Sequence, residues 1–405
     1  MVSSPPPIAL GCITRFVESP DPYQEFVQNA REHGHPVGVL IVALTRAADL
    51  AVLGELTDLI DVELIEVGED DDLLDDLVAA GAEPADVQAV LDSSATIDFG
   101  MVPYCVQRNS VLLRAMLLGF EYLVFFDHTM RPVELVGDPA LPSGRAFHEI
   151  DFVGPHIEGL LSGAAVTTGA YSGFDSFPPI QMTSLRDLLH GIGREDAHDV
   201  IAAEGALAGV HLAPPGPRSP HASMQAFAGN LGLDLAHAER LPPFFSRSYR
   251  LGGDVVLTRG EDTLLGTTAN RECIGCLDIG TRVFLDPHST FPSPPDVRQE
   301  RMRNRLYWNC LGWIARLPLL DQARHDCGLL DWDLGDLRAS RRVALQQGSE
   351  ELADQLGDNR FLDLPTFFDL VFLRMDRTLA EYDAARAAWR RIVAAIRGER
   401  GPLDV

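Results

Sequence analysis

The first 130 residues alternate short apolar runs with amphipathic stretches, and that rhythm limits the fold more than any other feature of the chain. Ile8–Ile13, Val37–Val42 and Val62–Val67 are runs of strand length, and helical periodicity fills the gaps near Tyr23–His33 and Ala47–Leu59. Strands and helices that alternate in this way build βαβ units, whose strands lie parallel. The expected class is α/β, a Rossmann-like, mostly parallel sheet flanked by helices. Glu69–Leu91 reads as an acidic helical insertion, and its start Glu69-Asp70-Asp71-Asp72 as a solvated helix start rather than a metal site.

A helix is expected over Gln107–Phe120, where Val111, Leu112, Ala115, Met116, Leu118 and Gly119 fall at helical spacing. The unbroken run Tyr122–Phe126 follows, and such a run after a helix reads as a central strand buried on both faces. Asp127-His128-Thr129 emerges at its carboxyl end, the edge at which open α/β sheets bind ligands. Farther on, Ala164–Thr168, Gly252–Thr258 and Thr281–Leu285 read as strands, and Asp187–Leu207 and Asp262–Asn270 as helical. Past the break Phe291-Pro-Ser-Pro-Pro295 the pattern turns helical over Val297–Leu317, Ser340–Leu356 and Leu364–Arg397. Two domains are expected, residues 1–295 (halves 1–130 and 131–295) and a helical C-terminal domain at 296–405.

Composition removes several classes of function. A net charge of −26 would repel a nucleic-acid backbone, which proteins grip with clustered cations. The chain contains no lysine, which excludes a P-loop lysine and a Schiff-base lysine and leaves arginine, histidine, a metal or helix N-termini to meet phosphates. No window reaches the roughly 18 apolar residues of a membrane span, and Met1–Gly11 lacks a basic leader, so the expected compartment is the cytoplasm. Cys273-Ile-Gly-Cys276 could join Cys310 and Cys327 around zinc, but no second close pair exists, and buried reduced thiols are the better reading.

The candidate functional residues come in a fixed order. Arg108-Asn109 opens a helix, Asp127 ends the next strand, and much later come Gly252-Gly253-Asp254, Gly260-Glu261-Asp262-Thr263 and His288. This order resembles the GT-A glycosyltransferases, and in layout the mannosylglycerate synthase-like and glucosyl-phosphoglycerate synthase-like enzymes, over roughly residues 8–292. The resemblance implies hexosyl transfer from a nucleotide-diphosphate sugar to a hydroxyl of a small-molecule acceptor. It implies donor binding by Thr14, Arg15, Glu18, Arg108, Asn109, Asp127 and Gly253. Asp127, Thr129 and His288 would hold a Mg²⁺ or Mn²⁺ ion, which as a Lewis acid neutralises the leaving diphosphate. Asp262, beside Glu261, would deprotonate or orient the acceptor hydroxyl.

The chain departs from the pattern at the strand end, where the expected Asp-x-Asp reads Asp-His-Thr, and a hydroxyl is a weaker ligand for a hard cation than a carboxylate. Fewer protein ligands, a contribution from His128, or work without a metal are all open. Two other functions also stay open. A sugar-nucleotide nucleotidylyltransferase would want a glycine-rich basic loop that Ile8–Glu18, with one glycine and no lysine, lacks. A catalytically inactive scaffold protein would be free to carry Thr129. Homo-oligomerisation is left open by the sequence.

Overall fold

The computed structural model describes residues 7–45, 50–68, 71–92, 103–141, 143–214, 216, 218–272, 274–330 and 332–398. The expected alternation is present as β1 (Ile8–Ile13), α1 (Asp21–Glu32), β2 (Val37–Leu44), α2 (Leu50–Thr57) and β3 (Asp61–Glu66). The acidic insertion folds as α3 (Asp71–Ala79) and α4 (Pro84–Leu91), while Glu69 and Asp70 lie outside the described residues. Then α5 (Tyr104–Leu117) leads into β4 (Tyr122–Asp127). These strands pair in parallel in the order β3, β2, β1, β4.

Each strand serves two cores. Ala9, Leu123 and Phe125 face one, and Leu10, Cys12, Val124 and Phe126 face the other, as the two-residue period of a strand requires. Helices cover both faces, which is why Tyr122–Phe126 is apolar without interruption.

The chain continues through β5 (Met130–Arg131), β6 (Val133–Gly137), β7 (Arg145–Glu149), α6 (Gly154–Leu161) and β8 (Val166–Phe174). Next come α7 (Leu185–Ile192), α8 (His198–Ile201), β9 (Val210–His211), β10 (His221–Ala222) and β11 (Asn230–Asp234). The hairpin β12 (Ser248–Leu251) and β13 (Asp254–Leu257), then α9 (Glu261–Arg271) and β14 (Cys276–Leu285), complete this part. The central sheet is mostly parallel through its long strands, but the unforeseen β11 enters antiparallel between β4 and β8, and β14 lies parallel to β8. Asn-Leu-Gly-Leu-Asp is too short and too polar at its ends to announce itself as a strand.

A buried histidine joins these added strands. His156 donates its Nε2 hydrogen to the Asn230 Oδ1 acceptor at 2.9 Å, and the Thr167 hydroxyl donates to Nδ1 at 2.8 Å. Burial pushes the His156 pKa down to about 4, so the ring is neutral.

The helical region consists of α10 (Glu300–Asp326), α11 (Leu334–Leu356), α12 (Leu364–Leu373) and α13 (Met375–Ile396). The stretch read as one helix over Leu364–Arg397 divides because its halves enter different cores. Phe367, Phe368 and Val371 pack with α10 and α11, whereas Ala388, Trp389, Ile392 and Val393 join the sheet core. Similarly, Asp187–Leu207 is broken after α7 by Gly193, whose φ of +69° ends the helix in the left-handed conformation. Cys276 belongs to the sheet core and Cys310 to the helical one, so these thiols do not converge on a zinc ion, and Cys273 lies outside the described residues. Among the described residues no helix is long and apolar enough to cross a membrane.

Candidate active site

Parallel strands deliver their carboxyl ends to one edge. Ile13 pairs in register with Asp127, so the loop Thr14–Glu18 leaves β1 directly beside it. The Gln107 side-chain amide of α5 donates to the Thr14 and Ala43 carbonyls at 2.7 and 3.1 Å, tying the ends of β1 and β2 together. Thr14 is buried, with its hydroxyl donating to the Phe16 carbonyl at 3.0 Å, whereas Arg15 and Glu18 are exposed. Asp127 is half-buried. Its Oδ1 accepts the amide and hydroxyl of Thr129 at 2.9 and 2.8 Å, and among the described residues its Oδ2 has no partner.

A second acid arrives on α9. Gly260 turns with φ +82° and opens this helix, placing Glu261 in the interior and Asp262 at half-exposure. Glu261 accepts from Arg108 Nη1 in a buried ion pair, and that guanidinium lies 5.9 and 5.8 Å from the Tyr104 and Phe244 ring centres. Burial raises the Glu261 pKa against the pull of Arg108, and the neighbouring Asp262 charge adds to the rise. Asp262 Oδ2 accepts from the Ala228 amide at 3.0 Å, and Oδ1 from the Thr263 amide at 2.7 Å.

The segment Ala228-Gly229 connects the two acids. A Cβ at Gly229 would come 2.1 Å from Met130 Cε and 3.2 Å from the Asp127 Cβ, so the backbone there approaches the strand end as only glycine can. The Gly229 amide donates to the Tyr171 hydroxyl oxygen at 3.1 Å. Burial, reinforced by Asp262, raises the Tyr171 pKa, so the phenol keeps its hydrogen and can donate it. Arg108 stands within electrostatic reach of Glu261, Asp262 and Asp127.

The structure thus brings Arg108, Asp127, Glu261 and Asp262 together and adds Tyr171 and Gly229, which sequence reasoning missed. Both belong to strands or turns whose placement depends on β11 and on pairing across the sheet. Other candidates are placed differently. Asn109 is buried, and its amide both donates to and accepts from the Phe244 backbone at 2.9 and 3.0 Å, so it anchors that backbone from inside the fold. Gly253 lies at the exposed tip of the β12–β13 hairpin, a full strand away from Glu261. Thr129 turns its hydroxyl back onto Asp127 and does not stand as an independent ligand.

For a divalent cation, two of the three expected donors retain suitable chemistry. His288 is buried and gives its Nε2 hydrogen to the Asp175 carbonyl at 2.8 Å, which leaves the lone pair on Nδ1, a buried atom without a partner. A ligand imidazole is commonly oriented in this way by a carbonyl acceptor on its other nitrogen. Burial, followed by Arg305, lowers the His288 pKa and so keeps the ring neutral. Asp127 Oδ2 is the other available donor. The Asp286 amide donates to the Thr129 carbonyl at 3.3 Å, bringing the turn that carries His288 against the turn after Asp127. Among the described residues no group of three or more His, Cys, Asp or Glu side chains could hold a metal ion.

No protein-family model matches the chain, and no curated protein matches it. Among solved structures it is similar to glucosyl-3-phosphoglycerate synthase from Mycobacterium tuberculosis in complex with phosphoglyceric acid, at 10% identity and TM-score 0.36, covering 81% of this chain and 82% of that one. It is also similar to a mannosyltransferase from Pyrobaculum calidifontis in complex with GDP-Man and Mn²⁺, at 11% identity and TM-score 0.39, covering 92% and 87%. A third is S. aureus TarS, at 9% identity and TM-score 0.34, covering 98% and 93%. Overlap this loose assigns neither a substrate nor a site residue.

Proposed function

We propose that the chain is a GT-A-type glycosyltransferase that moves a hexosyl group from a nucleotide-diphosphate sugar to a hydroxyl of a small-molecule acceptor. One observation carries the reading. The strand-end carboxylate Asp127 and the helix-opening carboxylate Asp262 are held on either side of Gly229, with Arg108 in electrostatic reach of both.

In this reading the loop Thr14–Glu18 and Asp127 receive the donor at the carboxyl edge of β1 and β4. Asp262 accepts the hydrogen of the incoming hydroxyl, in the first turn of α9 where a negative charge is favoured. Tyr171 supplies a hydrogen-bond donor to the same space. Glu261 is a positioning residue: bound to Arg108, it fixes the guanidinium that faces both other acids. A divalent cation held by Asp127 Oδ2 and His288 Nδ1 would supply Lewis-acid neutralisation of the diphosphate. The net charge of −26 fits a small acceptor better than a polyanionic polymer.

The test is a thermal-shift screen against UDP-, GDP- and dTDP-sugars with and without Mn²⁺. A ligand that binds only the folded state raises the melting temperature by mass action, and at least one donor is expected to do so. Asp127→Ala should abolish that rise. A flat screen for all donors in both conditions sinks the reading.

A further inference from the structure

Among the described residues three arginines are buried, Arg108, Arg316 and Arg341. Two of them meet carboxylates, Arg108 that of Glu261 and Arg341 those of Asp321 and Glu195. Arg316 of α10 is 7% exposed, and its hydrogen bonds go to a hydroxyl and a carbonyl, with no carboxylate partner among those residues. Burial, then Arg194 and Arg324, lower its pKa to about 10, which leaves the group charged at neutral pH. A buried cation without a carboxylate is costly, and the fold keeps this one where it joins two helix ends.

Nη1 donates to the Thr263 hydroxyl oxygen at 3.4 Å, in the first turn of α9. Nη2 donates to the Gly193 carbonyl at the C-terminal end of α7, at 3.3 Å. A Cβ at Gly260 would collide with Nη1, so the guanidinium packs against bare backbone there. Gly260 and Thr263 flank the pair Glu261-Asp262. One turn earlier on α10, the Gly312 carbonyl accepts the Arg259 amide at 3.0 Å. The helix α10 therefore grips the chain just ahead of the two acids and on either side of them.

The direction of one hydrogen bond follows from chemistry. A guanidinium has no acceptor, so the Thr263 oxygen receives from Arg316 and turns its own hydrogen elsewhere. Asp262 Oδ1 lies 3.5 Å from that oxygen, and the Thr263 amide donates to the same Oδ1 at 2.7 Å. We infer that Arg316 is a positioning residue, which through Thr263 fixes the Asp262 carboxylate and so brings the helical region to bear on the hydrogen transfer at Asp262. Naming a hydrogen transfer rests on the glycosyltransferase reading; the clamp on α9 does not.

The experiment compares the full chain with Arg316→Gln and Arg316→Lys in two measurements. Amide hydrogen exchange reports the clamp. The Thr263 and Leu264 amides, bonded to Asp262 Oδ1 and the Gly260 carbonyl, should exchange about tenfold faster in Arg316→Gln, while those of β1 and β4 stay protected. Sugar transfer reports its use. The kcat should fall about tenfold to a hundredfold with the donor KM unchanged, and Arg316→Lys should recover part of the loss. In an Asp262→Asn background, Arg316→Gln should change the residual kcat by less than about twofold, whereas a merely structural arginine would act alike with and without Asp262. Unchanged exchange at the start of α9 in folded Arg316→Gln overturns the clamp. Faster exchange with kcat intact, or a loss of the same size in the Asp262→Asn background, overturns the positioning role. Faster exchange in a protein that transfers no sugar keeps the clamp and removes the transferase reading. Should Arg316→Gln fail to fold, Thr263→Val, which removes the acceptor oxygen and keeps the shape, carries the same expectations.

Discussion

Asp175 and Asp127 stand just after β8 and at the end of β4, two parallel strands of one sheet separated by β11, yet they hold their charges in opposite ways. Asp175 accepts from Arg194 Nη2 at 3.0 Å, His211 Nε2 at 3.0 Å and the Phe177 amide at 2.7 Å, and its side chain is 7% exposed. Burial works against that charge, but Arg194 and His211 outweigh it and hold the carboxyl well below the usual carboxylate range. Asp127 is 30% exposed, with one oxygen fixed by Thr129 and the other open. The arginine partnered with Asp175 is further covered by the Trp313 ring, 4.6 Å from its guanidinium carbon. Arg305 of α10, which feels the Asp127 charge, has no hydrogen-bond or ion-pair partner among the described residues. Saturated hydrogen bonding marks a group that holds the fold, and unspent capacity kept in place by rigid neighbours marks one that waits for a ligand.

The sharpest way to break this contrast is to neutralise each acid in turn. Asp175→Asn should cost on the order of 3–5 kcal/mol in chemical denaturation, because it strands a buried guanidinium. Asp127→Asn should instead lower sugar transfer about a hundredfold to a thousandfold while shifting denaturation by less than about 1 kcal/mol. The reverse pattern, a stable Asp175 variant and an unfolded Asp127 variant, would defeat the comparison.

A third test uses acid. The folded pKa of His156 is depressed to about 4, so its contribution is present above the unfolded value of roughly 6.5 and is lost as pH falls from there towards 4. Up to about 3 kcal/mol of stability should vanish across that window, and less of it in His156→Gln. An equal loss in that variant would show that the histidine bridge between β8 and β11 is not the cause. The smallest effect is expected for Gly229→Ala. Met130 can yield with its flexible end, so stability should drop by only about 1 kcal/mol, whereas the small displacement of Asp127 should cut activity about tenfold.

What could be read from the chain follows the range of the interactions involved. β1, β2, β3 and β4, and Asp127 with them, are visible because strands buried on both faces write themselves as local apolar runs. Arg108 and Asn109 are adjacent in sequence but diverge on the helix, one to Glu261 and the other to the Phe244 backbone, and no local pattern says which partner each meets. Tyr171 and Gly229 become neighbours of Asp127 only after β11 has paired antiparallel with both β4 and β8.

The pairing of Arg391 with Asp86, at 2.8 and 2.7 Å, has a consequence in time. The two residues are 305 positions apart, and α13 also reaches the segment after β11 through Trp389, whose indole donates to the Ala238 carbonyl at 2.8 Å. A ribosome at the usual pace makes α4 some tens of seconds before it makes α13. Through that interval Asp86 is without its arginine, and the sheet core lacks Ala388, Trp389, Ile392 and Val393, so this part of the protein closes only when the last helix is made.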